Sequence, residues 1–165
     1  MDNPEYCRLL GALVADRLSL EFALRCFLAH QNRDHEAEVD LFQCAPGARV
    51  PVNSLTNWDT LGELVDKFNK AMEERNLSLR VDRGIVDIRD MIGHGRVAGK
   101  QPRPPFTLWK LERPCGGQVL VQACEVLDGE WLRNAGETMG KQIGVIVKAC
   151  KELGYSDLMS EVVLG

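Results

Sequence analysis

Three histidines occur in the chain, His30, His35 and His94. Imidazole is the side chain best suited to move protons near neutral pH. One of the three has chemical company. The stretch Arg89-Asp90-Met91-Ile92-Gly93-His94-Gly95-Arg96 sets an imidazole between two glycines, with an arginine and an aspartate just upstream. Flanking glycines leave the ring exposed and let a substrate backbone come close. Asp90 precedes His94 by four residues, the spacing of neighbours on a helix face, so its carboxylate can orient the ring. Arg89 supplies a planar cationic fork suited to phosphate. Imidazole, orienting carboxylate and guanidinium suffice for phosphodiester cleavage without a metal: the histidine moves protons and the arginine stabilises charge on the phosphorane.

The spacing carries a difficulty. Residues five apart on an ideal helix point roughly 140° apart, so Arg89 and His94 should diverge. Either the helix loosens at Gly93, or two copies of the chain share residues across a two-fold axis. The same residues also fit a purely structural role, because a histidine at a helix C-terminus stabilises the helix by itself.

Charge is unevenly spread around this motif. The window 80–113 holds eight basic and four acidic residues, a net +4, which leaves −8 for the rest of a chain whose total is −4. A basic island in an acidic protein is a candidate anion site, or else a solvated surface. Arg96, Lys100 and Arg103 are the candidates for holding flanking phosphates. The overall balance excludes a globally basic, histone-like binder, and DNA is not an expected partner.

With 165 residues, 45% of them hydrophobic and 27% charged, the chain has the size and composition of one soluble globular domain spanning 1–165. Its apolar runs are too short to cross a bilayer. The acidic N-terminus lacks the pattern of a secretory signal, so a cytoplasmic location is expected. Six scattered cysteines without a C-x-x-C pair read as reduced, small apolar fillers.

The elements that must position the motif are mainly helical. Leu9, Leu13, Leu20, Leu24, Phe27 and Leu28 recur at helical spacing and predict one long helix over roughly 4–30. A long loop follows over 31–58, with room for a short helix near 36–43. Thr60 and Glu63 form a capping box ahead of the stripe Leu61, Leu64, Val65, Phe68 and Met72, with Asn76 as the stop. Val81, Ile85, Ile88 and Ile92 predict a helix over 81–97 whose narrow apolar seam faces a partner helix or a second copy. Prolines at 102, 104 and 105 break regular structure. Strands over 106–113 and 118–127, joined at Gly116 and Gly117, read as a hairpin. Asp128 caps a last helix carrying Trp131, Ala135, Met139, Ile143, Ile146, Cys150 and Leu153, which Gly154 ends. Four helices of these lengths most simply pack as a bundle.

Other features carry less. Cys26, His30 and His35 lack a fourth ligand at the right spacing for zinc, so no metal or other cofactor is expected. Trp58, Trp109 and Trp131 read as core and hairpin packing. Glu21 and Arg25 read as a surface i, i+4 ion pair. The serines lack a nucleophile-elbow setting, and no phosphate-binding or dinucleotide glycine pattern is present.

The sequence Arg89-Asp90, three residues, then His94-Gly95 resembles the signature of the HEPN domains (higher eukaryotes and prokaryotes nucleotide-binding), in which four to six residues separate an arginine from a histidine, with Asn, Asp or His usually directly after the arginine. The long first helix containing Ser19-Leu20-Glu21-Phe22-Ala23-Leu24 is similar in flavour, as is the late position of the motif helix with one more helix after it. The resemblance implies a four-to-five-helix bundle, with the hairpin as an elaboration before the last helix. It implies a homodimer in which Arg89 and His94 of two protomers line one cleft, with Asp90 tuning it. It further implies a metal-independent endoribonuclease of the bacterial cytoplasm, a toxin or defence component, working through 2′-OH attack. A nucleotidyltransferase-type antitoxin is the implied partner. Some family members carry a tyrosine two residues after the histidine; Arg96 stands there in this chain, so an off-switch by modification of that tyrosine is not implied. The family also has members without nuclease activity, which leaves a catalytically silent helical dimer that binds a partner protein, RNA or a nucleotide as the alternative.

Overall fold

The computed structural model describes residues 1–32, 44–99 and 103–155. Its elements, in order, are α1 (Asn3–Gln31), α2 (Leu61–Glu74), α3 (Gly84–His94), β1 (Arg96–Ala98), β2 (Phe106–Leu111), β3 (Val121–Leu127) and α4 (Gly129–Glu152). The protein is mainly α-helical, with one three-stranded antiparallel sheet of order β1-β2-β3. Among the described residues no helix is long and apolar enough to cross a membrane. The chain divides into two compact units, one made of Met1–Leu18 and Arg83–Lys141, the other of Ser19–Asp82 and Gln142–Gly165. Helices α1 and α4 each contribute to both.

The second unit is built from the C-terminal part of α1, all of α2 and the end of α4. The expected capping box is present: Thr60 Oγ1 accepts from the Glu63 backbone N–H, and Glu63 accepts from the Thr60 N–H at 2.7 Å. The stripe of α2 is fully buried, and Phe68 meets Phe27 of α1 edge-on with ring centroids 4.8 Å apart. Asn76 ends the helix in the left-handed region at φ 57°. Burial also raises the Cys150 thiol to about 11, so it stays protonated and behaves as an apolar filler.

The capping box makes a pH prediction. Hydrogen bonds from the Thr60 backbone, then its side chain, hold the Glu63 carboxyl below its ordinary range. A carboxylate whose folded pKa is depressed stabilises the fold above its unfolded pKa, and that contribution is lost as pH falls through the folded value. Urea midpoints measured across the acid range should fall for the wild type. The fall should be smaller for Glu63→Gln, and equal slopes would remove this account.

Arg25 has a role the sequence did not suggest. Its ion pair with Glu21 (3.2 Å) is not a free surface pair, because the arginine side chain is only 13% exposed. The guanidinium donates to the carbonyls of Ser54, Asn57 and Asp59 at 3.4, 3.2 and 2.8 Å, and to Asn57 Oδ1 at 2.8 Å. It thereby ties the approach to α2 onto α1. The neighbouring Trp58 is 98% exposed, contrary to the expected packing role. The short helix anticipated near 36–43 and His35 both lie outside the described residues.

The first unit combines the start of α1, α3, the sheet and the start of α4. Tyr6 of α1 packs edge-on against Phe106 of β2, centroids 5.3 Å apart. Asp128 caps α4, accepting from the Trp131 N–H at 2.8 Å. The hairpin is as expected at its tip. Cys115 and Gln118 exchange backbone hydrogen bonds across Gly116 and Gly117, which take φ 58° and 76°. Two successive positive φ angles define the tight turn whose twist matches paired strands, and glycine takes them at no steric cost.

The third strand was not expected, and its origin corrects the helix expected over 81–97. That helix starts later because the Asn69 side chain clamps Val81, accepting from its N–H at 2.8 Å and donating to its carbonyl at 2.9 Å. It ends earlier because residues 96–98 pair with β2, Arg96 opposite Trp109 and Ala98 opposite Thr107. The apolar seam shifts accordingly. Ile85 and Met91 are buried, whereas Ile88 and Ile92 are only half-buried. The cysteines divide too: none forms a disulfide, and only Cys26 and Cys150 are buried.

Candidate functional site

The site lies in the first unit, at the last turn of α3 and the inner face of β2. Arg89 Nη1 donates to Asp90 Oδ1 at 2.8 Å and stands 3.3 Å from His94 Nε2. Lys110 Nζ lies 3.8 Å from Asp90 Oδ2 and 3.5 Å from Asp87 Oδ1. Arg89, Asp90 and Lys110 are mostly buried, while His94 and Asp87 are exposed. Two cations and two carboxylates thus form a compensated network with an imidazole at its solvent edge.

The expected divergence of Arg89 and His94 does not occur, and neither anticipated remedy is needed for the two side chains to meet. The helix stays regular through His94. The long arginine side chain spans the angular gap within one chain. The partner of the ring also differs from the expectation: the Arg89 guanidinium, not Asp90, stands at Nε2, and Asp90 instead engages Arg89 and Lys110. A guanidinium can only donate. A hydrogen bond across this contact needs the tautomer in which Nε2 is the acceptor. Arg89 Nε is buried with no hydrogen-bond partner among the described residues, as are Arg17 Nε and the Tyr6 hydroxyl.

The two glycines do different work. A Cβ at Gly93 would meet nothing within 4 Å, which leaves the approach to the ring open. A Cβ at Gly95 would collide with the Met91 carbonyl and come within 2.5 Å of Leu108 Cδ1. Only glycine lets α3 turn directly into β1 against the sheet, so Gly95 serves packing rather than substrate access. Gly95→Ala is expected to lower stability by about 1–3 kcal/mol, and Gly93→Ala to raise it by up to about 1 kcal/mol. Urea unfolding of the two variants checks the contrast.

Lys110 is the member that sequence reasoning missed as a site residue. A signal existed: strand alternation places Lys110 on the same face as buried Leu108, an unusual position for an unpaired lysine. Arg96 is exposed, and its register opposite Trp109 puts it on the other face of the sheet from Lys110. Arg103 is exposed ahead of β2. Lys100 lies outside the described residues. The Arg89 cluster therefore contains neither Arg96 nor Arg103. Among the described residues no three His, Cys, Asp or Glu side chains converge on a common metal position; the His30 ring packs at a 49° tilt against Tyr155, centroids 4.1 Å apart.

Comparison of the chain with protein-family models, with curated proteins and with solved structures gives no match.

Proposed function

We propose that the end of α3 is the active site of a metal-independent endoribonuclease of HEPN type, acting as a homodimeric toxin or defence component. The observation that carries this reading is the 3.3 Å approach of Arg89 Nη1 to His94 Nε2 on an exposed helix end. A phosphodiester entering there accepts from Arg89 and takes the guanidinium off the ring. Nε2 is then free to accept the proton of the adjacent ribose 2′-OH. The 2′-oxygen attacks phosphorus, Arg89 stabilises the added charge on the phosphorane, and the bond to the 5′-oxygen breaks. The products are a 2′,3′-cyclic phosphate and a 5′-hydroxyl. The 5′-oxygen takes its proton from an acid on the opposite side, which in a dimer is the same histidine of the second copy. Asp90 holds Arg89 in place, and Lys110 holds Asp90.

The test is cleavage of varied RNAs in EDTA with analysis of product ends, together with the oligomeric state in solution. Cleavage leaving cyclic phosphate ends is expected. A folded protein that cleaves none of them would favour a silent binding module, in which the same cations hold a phosphate or an RNA without reaction.

A further inference from the structure

Beside the phosphate-binding edge lies a cleft of about 590 Å³ between α3 and the hairpin. Its apolar wall is Met91, Leu120, Val121 and Ala123, and its rim carries Asp87 and Lys110. That volume falls within the roughly 300–1,000 Å³ range of small-molecule clefts. Lys110 joins the cleft to the site, because its Nζ touches both Asp87 at the rim and Asp90 beside Arg89. The wall is unusually bare: Leu120 is 62% and Val121 51% exposed, although both follow a well-ordered turn in the hairpin. An open cleft lined about equally by polar and apolar groups, Gln122 among them, with a carboxylate at its mouth and a guanidinium, lysine and imidazole nearby, has the mixed polarity of a nucleotide. The flat base lies on the apolar wall, an amino group points to Asp87, and the phosphate points to Arg89 and His94.

We infer that this cleft binds the base of the nucleotide whose 2′-OH reacts, and that Asp87 selects guanine over uracil. A carboxylate accepts two parallel hydrogen bonds from the adjacent ring N–H and amino group of guanine, but only one from the single N3–H of uracil. The inference rests on the ribonuclease reading for the orientation of the phosphate, but its test does not use cleavage.

The experiment titrates the wild-type protein with guanosine 3′-monophosphate, uridine 3′-monophosphate and inorganic phosphate, following backbone amide resonances. Guanosine 3′-monophosphate is expected to shift residues 87, 91 and 120–123 and to bind ~10-fold more tightly than the uridine nucleotide. Asp87→Asn should bring the two affinities together. The readout is their ratio, since releasing Lys110 from Asp87 raises the affinity for every phosphate alike. Leu120→Ala, at an exposed position that leaves the fold intact, should weaken the guanosine nucleotide several-fold and leave inorganic phosphate unchanged. Equal affinities in the wild type, shifts confined to residues outside the cleft, or a ratio unmoved by Asp87→Asn would each overturn the inference. An enzyme that cleaves RNA yet shows no shifts in the cleft would overturn it while leaving the ribonuclease reading intact. Base-selective shifts without cleavage would do the reverse.

Discussion

His94→Ala is expected to lower RNA cleavage by about a hundredfold to ten-thousandfold, the usual contribution of a positioned general base, with no loss of stability. The ring is exposed at the end of α3 and supports no core contact, so a folded, inactive protein is the expected product. Arg89→Ala should cost about a hundredfold to a thousandfold, as for removal of a donor to a developing oxyanion. Arg89→Lys should not restore the rate. A lysine offers a point charge in place of the fork that bonds Asp90 while facing His94. Asp90→Asn should fall between the extremes, since it loosens Arg89 without removing it. These rates come from single-turnover cleavage of one labelled RNA, with circular dichroism to show that each variant is folded. If His94→Ala cleaves as fast as wild type, with the same product ends, the assignment fails outright.

Arg25→Met should cost about 3–5 kcal/mol of stability, the range for breaking a mostly buried charge network by removing one partner. Methionine keeps much of the length and apolar stem of arginine, so the loss reports the charged head. Three backbone carbonyls and the Asn57 side chain lose their donor at once, and Glu21 loses its cation. Ser54 is buried and Asn57 and Asp59 are half-buried, and carbonyls shielded from solvent are costly to strip of a donor. The urea midpoint should drop, and amide exchange should rise across residues 53–59 before it rises in α2. A change of less than about 1 kcal/mol, the size expected for a surface ion pair, would show that the arginine is not a clamp.

The helices were legible where their signals are local. The capping box of α2 needs only Thr60 and Glu63 three positions apart in the chain, and both ends of α1 and α4 follow from periodicity and capping residues. The tip of the hairpin was legible for the same reason, because two glycines in succession dictate the turn. What failed was set by partners distant in sequence. Val81 carries a helical apolar pattern, yet the Asn69 side chain holds its backbone outside the helix. Residues 96–98 have no strand signature of their own and become β1 only because β2 lies alongside. Arg89 and Asp90 were named from their types, but the contact that unites the site depends on how far an arginine side chain reaches, which angular arithmetic on Cα positions omits. Arg25 and Lys110 escaped because a charged residue near apolar ones reads as surface until its partners, the carbonyls of 54–59 and the carboxylates of 87 and 90, are seen to converge on it. The helical character is shared with many folds, so the proposed HEPN reading rests on the motif and its chemistry alone.

The interleaved membership of the two units imposes an order on synthesis. Met1–Leu18 leaves the ribosome well before the segment it packs with, Arg83–Lys141. Residues 19–82 emerge in between, and their own partners, such as Phe27 and Phe68, are available as soon as α2 is complete. The nascent chain can therefore build part of one unit while the apolar residues Tyr6, Leu9 and Leu13 still wait for theirs. Non-local pairing of this kind is slow and leaves hydrophobic surface bare in the interval. An interval of bare apolar surface during translation follows, centred on the first eighteen residues. So does a rule for fragments: a cut anywhere between residues 19 and 82 separates the two pieces of the first unit, so the half of the protein bearing the Arg89–His94 site cannot be produced as one uninterrupted stretch of the natural chain.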